Sequence, residues 1–117
     1  MYTCSRSNRE LQQESAAMVT YEVNLAVDRE IAGEYAAWLK EHVAEMLEIE
    51  GFLSSDQWIE ESEDPDRVHF CVHYRLASRR ALEDYFERHA ERMRGDGLTR
   101  YQGRFSASRR ILREAEL

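Results

Sequence analysis

The sequence predicts an α+β two-layer sandwich in which two strand–helix–strand units follow one another. Three observations carry this. Apolar residues alternate with polar ones over 19–27 and 67–76, the period of a strand with one buried face. They recur at helical spacing over 31–46 and 82–93. The two helical stretches also match: "WLKEHVAEM" (38–46) and "YFERHAERM" (85–93) align at a constant offset of 47, with aromatic, apolar, His and Met positions in register. A split βαβ unit used twice is the ferredoxin-like βαββαβ arrangement, a four-stranded antiparallel sheet with two helices on one face.

Each element follows from local chemistry. In "VTYEVNLAV" (19–27) Val19, Tyr21, Val23, Leu25 and Val27 face one way, and Thr20, Glu22, Asn24 and Ala26 the other. Asp28 offers an N-cap and Glu30 an acidic first turn for the first helix. Its stripe is Ile31, Tyr35, Trp38, Leu39, His42, Val43 and Met46, and Gly51 is the stop. "FLSSDQWIEE" (52–61) reads as a weaker strand, and "SEDPD" (62–66) is turn chemistry. In "RVHFCVHYRL" (67–76) Val68, Phe70, Val72, Tyr74 and Leu76 form the buried face, leaving His69, Cys71, His73 and Arg75 on the other. Ser78 caps a second helix with the stripe Leu82, Tyr85, Phe86, His89, Ala90 and Met93, ended by Gly95 and Gly97. The last strand lies near "RFSASRRIL" (104–112).

Composition bounds the rest. The 117 residues, 43% apolar and 33% charged, suit one soluble domain with one core. Residues 1–17 lack periodic apolar pattern and read as a flexible polar extension before a domain at 18–117. No apolar run reaches the ~20 residues of a membrane helix, and the N-terminus lacks a signal peptide's apolar block. Cys4 and Cys71 make no disulfide framework, so a cytoplasmic protein with reduced thiols is expected. A net charge of −7 argues against nucleic acid and anionic lipid as partners. The charge is unevenly spread: residues 19–66 carry −12 and residues 67–117 carry +5. In the ferredoxin-like topology strands two and four are the sheet edges. Asp56, Glu60 and Glu61 lie on one, Arg104, Arg109 and Arg110 on the other. A twofold homodimer would set the acidic edge of one chain beside the basic edge of its partner.

"YEVNLAV", "YAAWLKEHVAEML" followed by "GF", and the closing "RRIL" resemble the small bacterial family called domain of unknown function 4286, from about Met18 to Leu112. That family is similar to the dimeric α/β-barrel group, ferredoxin-like chains whose sheets face each other across a twofold axis. The resemblance implies no particular reaction. The wider group includes cofactor-free monooxygenases, haem-binding enzymes, small isomerases and ligand-sensing domains, and fold analogy does not choose among them.

Several residues are candidates for chemistry. His69, Cys71 and His73 lie on one strand face with about 6.6 Å between successive alternate residues along the strand, and the two histidines can bind one zinc ion if Glu22 or a partner residue adds a ligand. A polar face that no helix covers is the simpler account, so no metal or other cofactor is expected. His42 and His89 occupy matching points on the two stripes, where a histidine can act as general base, and His42 is the candidate catalytic residue. Tyr35, Trp38, Tyr85 and His89, with Trp58, are candidates to line a pocket for an apolar or aromatic ligand. Aromatic residues at this spacing are core first. Ser78-Arg79-Arg80 and Arg109-Arg110 can meet a phosphate, or be an ordinary cap and a solvated edge. A phosphate loop, a nucleophile elbow and a cysteine zinc knuckle are absent from the sequence. The third strand also aims Phe70 and Tyr74 away from the face on which RNA-recognition domains stack bases. The resulting expectation is a homodimeric ligand-binding or regulatory module. The alternatives are a small cofactor-free monooxygenase or isomerase acting on an apolar or aromatic molecule, and a protein-interaction module.

Overall fold

The computed structural model describes residues 17–117; the polar extension up to residue 16, Cys4 included, lies outside the described residues. The elements run β1 (Val19–Asp28), a 3-10 turn (Arg29–Ile31), α1 (Ala32–Met46), β2 (Phe52–Glu60), β3 (Arg67–Leu76), α2 (Arg79–Arg88), α3 (Ala90–Tyr101) and β4 (Phe105–Arg113). The sheet is antiparallel throughout in the order β2-β3-β1-β4, so β2 and β4 are the edges. This is the ferredoxin-like fold that the two strand–helix–strand units predict. Among the described residues no helix is long and apolar enough to cross a membrane.

The two central strands pair in register from Val19 opposite Leu76 to Asp28 opposite Arg67. Because side chains alternate, that register puts Tyr21, Leu25, Val27, Val72, Tyr74 and Leu76 together under the helices, all buried. Tyr35, Leu39, Val43 and Met46 from α1 and Leu82, Tyr85 and Met93 from α2 and α3 close the core from above. Stacked and tilted rings run through it, including Tyr21 against Tyr74 at 6.2 Å between centroids and Tyr35 against Tyr101 at 5.0 Å.

Local chemistry shapes the connections. Gly51 adopts φ +94°, and a Cβ there would come within 2.5 Å of Ala81 Cβ, so the α1–β2 turn excludes a side chain at this point. Its carbonyl accepts from Ala77 N at 2.8 Å, tying the turn to the end of β3. At the start of β2 the register slips between Phe52 and Ser54, leaving Leu53 over and exposed. Arg29 donates to the carbonyls of Asp64, Pro65 and Arg67, clamping the β2–β3 turn. Ser78 caps α2 as predicted, its Oγ accepting from Ala81 N at 3.1 Å.

Two local expectations are corrected. Asp28 does not cap α1: its carboxylate accepts from Arg104 Nε at 2.7 Å, and a charge-assisted contact outcompetes a cap. The second helix does not end at Gly95 and Gly97. It breaks at His89, whose φ of −128° lies outside helical geometry, and resumes as α3 through both glycines to Tyr101. The break turns the chain so that Gly97 can approach Trp38, where a Cβ would sit 2.9 Å from Trp38 Cη2.

Candidate functional site

A cavity of about 350 Å³ lies between the sheet and the helices. Strand alternation delivers Tyr21, Val23 and Leu25 from β1 and Val72 and Tyr74 from β3. Spacing of three and four residues delivers Tyr35, Trp38, Leu39 and His42 from one face of α1. Tyr85, Arg94, Gly97 and Leu98 come from α2 and α3, and Phe105 and Arg109 from β4. The walls are aromatic and aliphatic, with a few polar groups converging on one space, the make-up of a small-molecule site.

The polar groups are held in place. His42 stacks on Trp38 with ring centroids 4.7 Å apart and planes 20° from parallel. Trp38 Nε1 donates to Asp96 at 2.9 Å, so α3 fixes the indole that carries the imidazole. Burial drives His42 below the ordinary histidine value, against the pull of Glu45 and Asp96. The ring is neutral at physiological pH and keeps an acceptor nitrogen. Arg94 donates from Nη2 to Tyr21 Oη at 2.9 Å, lies 5.8 Å from the Phe86 ring centre, and buries its Nε with no partner among the described residues. Burial pushes the Tyr85 phenol up to about 12, with Arg94 restraining the rise, and raises Tyr35 and Tyr74 as well. All three tyrosines remain neutral hydroxyls at physiological pH.

The open face of the sheet has a different character. Register aligns Asp56, His73, Glu22 and Arg110 in one row across β2, β3, β1 and β4. Glu22 is 4% exposed although no helix covers it. Its Oε1 accepts from His73 Nε2 at 2.9 Å, and its Oε2 from Arg110 Nε at 2.6 Å and Asn24 Nδ2 at 2.7 Å. The Arg110 hydrogen bond, ahead of those from Asn24 and His73, holds the Glu22 carboxyl at about 2 despite burial. Arg75 donates to Asp56 at 3.1 Å, so the row is paired from end to end. Cys71 sits beside it, its thiol pushed up by burial and by Glu22. One ligand atom each from Glu22, Cys71 and His73 lies within 4.8 Å of the others. A divalent cation there would have to displace the Arg110 guanidinium and break the hydrogen bonds that saturate Glu22.

The candidate residues are thus divided. Tyr35, Trp38, Tyr85 and His42 meet at the cavity, whereas His89 sits at the helix break with Nδ1 3.2 Å from Arg92 Nη2. Trp58 lies on the open face, 56% exposed. His69 and His73 are not brought to one point: His69 Nε2 contacts Asp64 Oδ2 at 3.0 Å and His73 turns to Glu22. At the edges Arg110 is occupied by Glu22 and Asp56 by Arg75, while Glu60 and Arg109 have no ion-pair partner among the described residues. Ser78 Oγ is taken by its cap, and Arg79 and Arg80 face Glu83 and Asp84 one turn on. Sequence reasoning missed Arg94, Asp96 and Gly97. The signal was there: Ala90, Met93, Arg94, Gly97 and Tyr101 keep helical spacing through the glycines taken as a stop.

Several solved structures share the fold. A cofactor-independent oxygenase from Streptomyces nogalater, SnoaB, matches with TM-score 0.65 at 12% identity, over 87% of this chain and 97% of its own. A conserved protein from Methanosarcina mazei matches with TM-score 0.64 at 15% identity, over 89% and 99%. A conserved protein from Bacteroides thetaiotaomicron, described as a possible oxidoreductase, matches with TM-score 0.63 at 19% identity, over 85% and 99%. Identities this low show a common fold and nothing finer. No curated protein matches the sequence. Residues 18–115 match the model of the family described as Domain of unknown function (DUF4286), and the chain belongs to that family.

Proposed function

We propose that the chain is a cytoplasmic, homodimeric module that binds an apolar aromatic small molecule in the cavity between sheet and helices. The observation that carries this is the cavity itself: about 350 Å³, walled by Tyr21, Tyr35, Trp38, Tyr74, Tyr85 and Phe105. A core of this composition would ordinarily close around its own rings, and space held open beside a stacked Trp38–His42 pair suits a planar guest.

The reaction that suits this site is cofactor-free oxidation of a phenolic ring by dioxygen, and the structurally similar SnoaB is a cofactor-independent oxygenase. Neutral His42 takes the hydroxyl proton, leaving an electron-rich anion in an apolar enclosure. A ring carbon of the anion bonds to dioxygen, and the proton returns to give a hydroperoxide. Loss of water then breaks the O–O bond and removes the hydrogen on that carbon, leaving a quinone. Dioxygen is reduced and the ring oxidised, with one water formed. Thermal shift against polycyclic phenols tests binding, since ligand at about a hundred times its Kd stabilises by about 2.7 kcal/mol. Oxygen uptake with the bound compound tests catalysis, and His42→Ala is expected to abolish uptake while retaining binding. Binding without uptake would leave a ligand-binding or regulatory module. Absence of any ligand alongside tight dimerisation would leave an interaction module.

The assembly we propose sets the β2 edge of one chain, with Asp56 and Glu60, beside the β4 edge of the second, with Arg109 and Arg110. Glu60 and Arg109, unpaired within the chain among the described residues, are the groups freest to reach across. Exposed ion pairs contribute only about 0–1 kcal/mol each, so they fix register more than strength. Sedimentation is expected to show a dimer that Arg109→Glu with Arg110→Glu weakens and raised salt loosens. A dimer indifferent to both would exclude these edges.

A further inference from the structure

The cavity is electrostatically one-sided. The chain carries 23 acidic residues against 16 basic ones, yet the cavity is lined by Arg94, Arg109 and His42 and by no Asp or Glu. Carboxylates do approach His42, since Asp96 accepts from Trp38 Nε1 and Glu45 lies one turn along α1, but neither lines the cavity. No carboxylate among the described residues pairs with Arg94, whose Nη2 donates instead to the neutral Tyr21 hydroxyl.

A guanidinium without a counter-ion beside an apolar cavity is costly unless something else satisfies it. Arg94 is moreover held in a fixed pose, by Tyr21 Oη at one nitrogen and by the Phe86 face, while its buried Nε has no acceptor among the described residues. Preorganised donors of this kind, next to aromatic walls, match a flat ring bearing an ionised oxygen group.

We infer that the molecule held in this cavity is an aromatic oxygen acid, bound as its anion through Arg94. The acidic group is a carboxylate or an acidic ring hydroxyl, and both offer the same charge-assisted acceptor. This rests on the aromatic-ligand reading above and narrows it. Arg94 is a specificity-determining residue, and Arg109, exposed at the edge strand, contributes field rather than a fixed contact.

Three naphthalene probes test the inference by titration calorimetry at neutral pH: 2-naphthoate, 2,4-dinitro-1-naphtholate and the neutral ketone 2-acetylnaphthalene. At least one anion is expected to bind about tenfold or more tightly than the ketone, as a buried charge-assisted hydrogen bond requires. The tighter anion identifies the acid class. Arg94→Met is expected to erase the preference while leaving ketone binding within about threefold, and Arg94→Lys to retain part of it. Circular dichroism melts check that both variants fold, and Arg94→Lys carries the test should Arg94→Met not fold. Ketone binding as tight as that of the anions, or an anion preference that survives Arg94→Met, would overturn the inference and leave the aromatic cavity standing. Failure of all three probes to bind at millimolar concentration would overturn both.

Discussion

The segments 38–46 and 85–93 share their pattern of aromatic, apolar, His and Met residues, yet they fold differently. In the first, α1 runs unbroken past His42, which stacks on Trp38 and lines the cavity. In the second, the helix breaks at His89, and the imidazole meets Arg92 away from the cavity. Matched spacing therefore sets which face a residue occupies, while helix continuity depends on what the next turn must reach. Here α3 must bring Gly97 against Trp38 and Arg94 to Tyr21, and an unbroken helix would aim them elsewhere.

The largest expected effect tests whether the halves share one core. Leu39→Ala in α1 and Leu82→Ala in α2 are each expected to cost about 2–5 kcal/mol in urea unfolding. A cost below about 1 kcal/mol at fully buried Leu82 would mean that the second half is loosely packed. Next comes the contact that joins them. Gly97→Ala sets a Cβ 2.9 Å from Trp38 Cη2, and overpacking of this kind costs about 1–3 kcal/mol. The indole would be driven toward the cavity, so ligand binding should fall with stability. An alanine variant with unchanged melting and binding would deny the contact.

Acid titration separates the helical layer from the open face. Burial lowers His42 in the folded state, so its contribution is present above its ordinary value of 6.5 and is lost as pH falls below it. Glu22 drops from 4.5 to about 2 on folding, so its contribution persists to lower pH and disappears between those values. Glu22→Gln should lower stability at neutral pH and flatten only the lower limb, whereas His42→Gln should flatten only the upper one. Following urea midpoints from pH 7 to 2 would show one merged limb if the two groups were not independent. The smallest effect concerns helix starts: Ser78→Ala should cost about 1 kcal/mol, while α1, without a side-chain cap, has no equivalent residue to lose.

Much of this architecture could be read from local pattern. Alternation in Val19–Val27 and Val68–Leu76 set the buried face of both central strands. It also put Phe70 and Tyr74 beneath the helices and His69 and His73 on the reverse. The first helix and the Ser78 cap were equally legible, because each rests on residues adjacent in sequence, whereas Gly51 proved to shape the turn into β2 and the helix itself ends earlier, at Met46. The site was legible in part. Tyr35, Trp38, His42 and Tyr85 belong to clear stripes, but Arg94 was hidden beyond Met93, where two glycines signalled an end. Helix propensity counted against those glycines, and the room Gly97 gives Trp38 outweighed it.

By itself the sequence determined the period of each segment, and with it which side chains share a face, since backbone geometry enforces that over a few residues. Tertiary structure decided what depends on registers and approaches between distant segments. Those are the row Asp56–His73–Glu22–Arg110, the break at His89, and the joining of Trp38, His42 and Arg94 around one cavity. The physical reason is that a hydrogen bond such as Arg94 to Tyr21 spans 73 residues of chain, and only packing of the whole sheet and helix layer fixes its two ends.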